Sequence, residues 1–284
     1  MRASALFLTL AYAASMVMAR PTIRSEPVEA VSKNTEDILP TFSQCINPGV
    51  FALTFDDGPD KYSWGLAESL HDQGIKATFF INGLNSVNVL EDSVTTEAGE
   101  KTYLDVIKQY YDQGHEIASH TYQHKNLVGL TVEEIEYQMN TQSDIIYKAI
   151  GKRVKLMRPP EGVTDKVSQK VLKDLGYTNV LWDIDTLDWE KKGLAFEQKN
   201  VKAVLDKDIA NQTMGHISLE HDIHEDTVKT LVPWLTNYVK QKGLTFVTVS
   251  ECLGVDAYEG GSDNSTITLD DTTGTATIDL SGLN

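Results

Sequence analysis

Short apolar runs and amphipathic stretches alternate along most of the chain. The runs "VFALTF", "KATFFI", "EIAS", "VKLMR", "NVLWDI", "HISLE" and "TFVTV" are each strand-sized and rich in β-branched or aromatic residues. Between them, "SWGLAESLHDQG", "TYLDVIKQYYDQG" and "DKVSQKVLKDLG" carry a helical pattern and end at Gly, the preferred helix terminator. "TVEEIEYQMNTQSDIIYKAIG" opens on Thr131 with Glu134 three residues on, a capping box. "EDTVKTLVPWLTNYVKQKG" accommodates Pro233 only by kinking or by starting a new turn there. Strands alternating with helices predict parallel pairing and right-handed crossovers. The pattern leaves two architectures, a closed or nearly closed β/α barrel and an open doubly wound sheet. No GxGxxG follows the first strand, which weighs against a dinucleotide site.

The two ends of the chain depart from this alternation. Residues 1–19, "MRASALFLTLAYAASMVMA", join Arg2, an apolar middle and small or short residues at Val17 and Ala19, the pattern of a secretory signal cut near Ala19. The run is too short to span a bilayer comfortably, and no later stretch is as apolar, so no membrane insertion is expected. Residues 20–43 lack periodicity and read as a flexible lead-in, residues 44–255 as the folded domain. Residues 256–284 hold six acids and no Lys or Arg, and read as a disordered, solvated tail. The longest internal interruption, "NGLNSVNVLEDSVTTEAGE", reads as a loop at the site rim.

Composition narrows the function classes. With 284 residues, 41% of them hydrophobic, one large domain can bury a sizeable core. A formal net charge of -16 excludes nucleic acid as a partner, because phosphate is bound through an excess of Lys and Arg. Cys45 and Cys252 flank the first and last strands, and in a secreted protein a bridge would tie the domain's ends together. For so long a loop the chain-entropy model gives roughly 5 kcal/mol. The sequons at Asn211 and Asn264 are glycosylation candidates.

Chemistry in β/α folds collects at the carboxyl ends of the strands. Here Asp56 and Asp57 end the first run, His120 and His124 the third, Arg158 the fourth, Asp185 and Asp188 the fifth, His221 and Asp222 the sixth. In "HTYQH" the two His at i and i+4 lie on one side of a helical turn and can close on one ion through neutral imidazole nitrogens. Asp57 completes such a site, leaving Asp56 free to accept a proton from an attacking water. Three protein ligands and an open position describe a catalytic divalent site. No GxSxG stands in the chain, so an acyl-enzyme route lacks its nucleophile motif. His71, His115, His216 and His224 match no part of this constellation.

"TFDDGP", "HTYQH", "RPPEG", "DTLDW" and "LEH", in this order and spacing, resemble the five motifs of the polysaccharide deacetylase family (NodB homology, carbohydrate esterase family 4). The resemblance spans roughly residues 45 to 252, and with the leader, the cysteine pair and "WDIDTLDW" it is strongest to fungal chitin deacetylases. It implies a distorted (β/α)7 barrel. It also implies Asp56 as general base, and Asp57, His120 and His124 around one divalent ion, usually zinc, sometimes cobalt or nickel. By the same resemblance His221 is the general acid, Arg158 pairs with the base, and Asp185 or Asp188 orients the acid. Trp189 and Leu219 would line the groove for the acetyl methyl group.

Glu161 departs from the family, which usually has an aromatic there whose backbone N–H helps bind the oxyanion. Glu161 keeps the N–H but brings a charge to the cleft wall. The implied protein is secreted to the cell exterior or wall, monomeric, and acts on chitin or another N-acetylated polysaccharide. Acetylxylan and peptidoglycan are alternative substrates of the same machinery, and a catalytically silent glycan-binding module is the alternative from another class.

Overall fold

The seven apolar runs all become strands, and their order explains how residues far apart in sequence meet. The computed structural model describes residues 39–208 and 215–260, together with the backbone of 267–269 and 276–278. The leader 1–19 and the sequons Asn211 and Asn264 lie outside the described residues. The strands are β1 (Thr41–Phe42), β2 (Val50–Ala52), β3 (Thr54–Asp56), β4 (Thr78–Ile81), β5 (Ser93–Thr96), β6 (Gly99–Thr102) and β7 (Glu116–Ser119). They continue as β8 (Leu156–Met157), β9 (Thr178–Val180), β10 (Ile184–Asp185), β11 (His216–His221), β12 (Thr245–Val247), β13 (Ile267–Leu269) and β14 (Ala276–Ile278). The helices are α1 (Ser63–Asp72), α2 (Tyr103–Asp112), α3 (Val132–Ile150), α4 (Lys166–Asp174), α5 (Leu194–Asp208), α6 (Val232–Gln241) and α7 (Val249–Leu253).

The central sheet is parallel throughout, in the order β1-β9-β8-β7-β4-β3-β11-β2-β12, with β10 beside β11. The ring closes through the stretch 178–185, which pairs at its start with β8 and at its end with β11. This is the expected distorted barrel: one strand serves as two short rungs, and the first run is likewise split at Leu53 into β2 and β3.

Side-chain alternation divides the core in two. Ala52, Phe80, Ala118, Leu156, Val180 and Ile217 form one buried cluster inside the barrel, joined by Cys45 and Cys252. Phe51, Phe55, Phe79, Ile81, Ile117 and Met157 point the other way, into the layer beneath the helices. The Cys45–Cys252 disulfide is formed, and Cys45 bridges Gly215 at the amino end of β11, away from the strand ends where the acids and imidazoles gather.

The helix signals hold locally. Thr131 and Glu134 make the reciprocal capping box on α3, and Gly74, Gly114 and Gly176 follow α1, α2 and α4 with positive φ. Pro233 starts a new turn, sitting at the head of α6 after a π-helical turn at Thr227–Leu231.

Four readings change. The lead-in ends earlier than residue 43, because Leu39 is buried and β1 pairs with β9. The folded body runs past Val255: Lys155 N–H donates to the Ala257 carbonyl, Val154 bridges Tyr258, and the Tyr258 hydroxyl accepts the Ile117 N–H. Within the segment read as a tail, β13 and β14 pair antiparallel. The long interruption is no plain loop, since β5 and β6 form an antiparallel hairpin that leads into the capping box of α2.

Candidate active site

The same alternation that fills the barrel also builds its mouth. Two residues beyond Phe80, Ala118 and Leu156 stand Asn82, His120 and Arg158, and four beyond Ala52 and Ile217 stand Asp56 and His221. Asn82, His120 and Arg158 take the next inward position past the apolar layer, and Asp56 and His221 the one after it, so five strand ends deliver polar groups to one opening.

Arg158 is the floor. It is fully buried, stacked over the Phe80 ring at 4.1 Å, and its NH1 donates to Asp56 Oδ1 at 2.7 Å and to Thr54 Oγ1 at 2.8 Å. Its Nε and NH2 donate to the carbonyls of Val180 and Leu181. A buried guanidinium with all these partners is a fixed charge, and it leaves Asp56 Oδ2 facing the opening, 3.6 Å from His120 Nε2.

Asp57, His120 and His124 come together as the sequence indicated, with one ligand atom from each within 4.8 Å of the others. Asp57 Oδ1 lies 3.2 Å from His124 Nε2 and 3.5 Å from His120 Nε2. This set fits a divalent cation on its own chemistry. Asp57 Oδ1 is buried without a hydrogen-bond partner. His120 Nδ1–H donates to the Arg158 carbonyl at 2.8 Å, which fixes the tautomer and leaves the Nε2 lone pair for an ion. Burial holds the His120 pKa below its usual value, against the pull of Asp56 and Asp57, so the ring favours the neutral, ligating form.

The pair does not lie on a helical turn. Residues 120–127 form a loop after β7, with Thr121 and His124 in left-handed backbone (φ 69° and 51°), and this conformation swings the His124 ring to 4.9 Å from that of His120. Asn82 Nδ2 pins the loop through the carbonyls of His120 and Thr121.

On the opposite side, His221 Nδ1–H donates to Asp188 Oδ1 at 2.7 Å. Asp188 Oδ2 accepts the His221 backbone N–H and the Thr227 hydroxyl. Asp188, not Asp185, therefore holds the His221 ring; Asp185 instead accepts the Leu187 N–H at 2.9 Å. Burial opposes a charge on His221, but the Asp188 bond and the Asp188, Asp57 and Asp56 charges outweigh it and push its pKa up to about 9. Burial also favours neutral Asp188, yet the His221 and Thr227 bonds keep its pKa below the usual value.

The remaining predicted residues differ in exposure. Leu219 is buried on β11, two residues before His221. Trp189, on the short turn at Asp188–Glu190, is 52% exposed and so presents an open face rather than a closed wall. Glu161 is exposed in left-handed backbone (φ 61°), and its Oε2 accepts from Asn126 Nδ2 at 2.8 Å, linking the Arg158 loop to the His124 loop.

Sequence reasoning missed Thr54, Asn82 and Thr227, which hold the site residues and look ordinary in sequence. Two further buried acids stand beside the site. Burial raises Glu220 well above the carboxylate range, and it raises Asp222 to about 7.

Comparison with known proteins bears on the family and the fold. A family profile described as "Polysaccharide deacetylase" matches residues 43–180. The chain is 36% identical over 216 residues to a chitin deacetylase of Colletotrichum lindemuthianum, covering 74% of this chain and 82% of that protein. The solved structure of the chitin deacetylase from that fungus superposes with a TM-score of 0.69 at 31% identity, over 79% of this chain and 97% of the other. The chain belongs to the polysaccharide deacetylase family.

A chitin deacetylase of Pestalotiopsis sp is 37% identical over 214 residues, or 74% of this chain and 65% of that protein. The match to a peptidoglycan-N-acetylglucosamine deacetylase of Listeria monocytogenes is 32% over 204 residues, 72% of this chain and 38% of the other. The chain thus spans less than two thirds of the length of some relatives it matches. No helix among the described residues is long and apolar enough to cross a membrane.

Proposed function

We propose that this chain is a secreted, metal-dependent deacetylase that hydrolyses the N-acetyl groups of N-acetylglucosamine units in chitin or chitin oligomers, leaving glucosamine units and acetate. The observation that carries the reading is the placement of two differently prepared proton carriers, Asp56 and His221, around the Asp57–His120–His124 set. Amide hydrolysis needs these parts: a base for the water, charge stabilisation for the oxyanion, and an acid for a poor leaving group.

Asp56, fixed by Arg158 through Oδ1, takes the proton of the attacking water at Oδ2. His221, held protonated by Asp188, delivers a proton to the amide nitrogen as the C–N bond breaks, so the sugar leaves as the free amine. A divalent ion held by Asp57, His120 and His124 would supply Lewis acidity and an open coordination position. Zinc suits this donor set, with cobalt and nickel as substitutes. The backbone N–H of Glu161 adds a donor for the oxyanion, while Leu219 and Trp189 receive the acetyl methyl group.

Secretion is supported by the leader at 1–19 and by the formed disulfide, which belongs to oxidising compartments. Acetate release from N-acetylglucosamine oligomers, measured beside acetylated xylan and peptidoglycan, tests the substrate. Fastest release from the chitin oligomers supports the proposal; release confined to xylan or peptidoglycan overturns it.

A further inference from the structure

Asp222 is a buried acid with no part in the proton steps, and it lies where the two arms of the site meet. It directly follows His221 on the chain and is fully buried. Its Oδ2 accepts from Ser63 Oγ at 2.5 Å and from the Tyr110 hydroxyl at 3.3 Å. Its Oδ1 has no hydrogen-bond partner among the described residues. Both oxygens press against Gly58, the residue after Asp57, so closely that a Cβ at Gly58 would collide with the carboxylate. Ser63 Oγ also accepts the Asp60 backbone N–H at 2.8 Å, so the turn is tied to Asp222 at a second point.

The other side of the turn is held by a different strand end. Asn82 N–H donates to the Gly58 carbonyl at 2.9 Å, and Ser86 Oγ donates to the Pro59 carbonyl at 3.3 Å. Between these walls Asp57 keeps a left-handed backbone, φ 75°. A non-Gly residue holds that conformation only where its surroundings enforce it.

We propose that Asp222 is a positioning residue: it is the back wall that sets the Asp57–Gly58 turn, so that the Asp57 carboxylate meets His120 and His124, and it ties that turn to the strand carrying His221. The inference rests on Asp57 as a metal ligand. A merely structural Asp222 would change thermal stability and leave the zinc affinity of the folded protein alone.

The test is zinc affinity of the folded, metal-stripped protein, measured by competition with a chromophoric chelator, with the melting temperature of each variant alongside. Asp222→Ala and Gly58→Ala should each weaken zinc by roughly 10- to 100-fold, the usual effect of removing support behind a ligand. Both should lower kcat more than they raise KM. Asp222→Asn, which retains an acceptor for Ser63 and Tyr110, should recover most of the affinity. Ser63→Ala, a milder change that serves if Asp222→Ala does not fold, should cost about 2- to 10-fold, the worth of one hydrogen bond. Parent-like zinc affinity in folded Asp222→Ala, or in Ser63→Ala where the first does not fold, overturns the inference. A parent protein that binds no zinc overturns the metal reading itself, and the inference with it.

Discussion

Asp188 grips His221 at two points, accepting the ring Nδ1–H at 2.7 Å on one oxygen and the backbone N–H at 2.8 Å on the other. The ring is therefore fixed in one tautomer and one orientation, with Nε2 outside this contact. The same contact decides when the ring carries its proton. In the metal-free protein His221 should titrate near pH 9 when followed by NMR.

Asp188→Asn removes the charge but keeps the shape, and should bring His221 down toward the ordinary histidine value of about 6.5. The sign for stability follows from a raised folded pKa. The His221 contribution is fully present below about pH 6.5 and is lost as pH rises through about 9. Stability measured from pH 6 to 10 should fall more steeply in the parent than in Asp188→Asn.

Arg158 is fully buried and its guanidinium is committed to four partners. Arg158→Met leaves Asp56 buried beside Thr54 without its cation, and should cost about 3–5 kcal/mol in denaturant unfolding. Arg158→Lys should also lose most activity, because an ammonium cannot reach Asp56, Thr54 and two carbonyls from one planar group.

The disulfide and the active centre are separable. Cys45→Ser with Cys252→Ser should lower stability by about 2–5 kcal/mol. Zinc affinity and kcat at 25 °C should be unchanged, since the bridge lies at the opposite end of the barrel from Asp57.

Much of this arrangement was legible because it follows period and position. The seven runs, the Gly-terminated helices and the Thr131 box are local signals, and strand ends mark where chemistry gathers. What stayed hidden depends on tertiary context. The left-handed turns at Asp57, Thr121, His124 and Glu161 involve residues whose type does not announce that conformation. The choice between Asp185 and Asp188 turns on a few ångströms of loop geometry. Helix α5 places Glu197 on its buried face beside Val201 and Leu205, which blurs its period, and the β5–β6 hairpin has only one buried residue, Val94, on two short strands.

The division of labour between neighbours Asp56 and Asp57 is the central claim, and one measurement reaches it most directly. Acetate released from chitin oligomers is followed for chelated protein, then after zinc is restored, with Asp56→Asn treated in the same way. The account predicts little release without metal, recovery with zinc, and an Asp56→Asn variant that binds zinc like the parent yet loses about 10²- to 10⁴-fold in kcat. Equal release with and without metal, or an Asp56→Asn variant as fast as the parent, would contradict it.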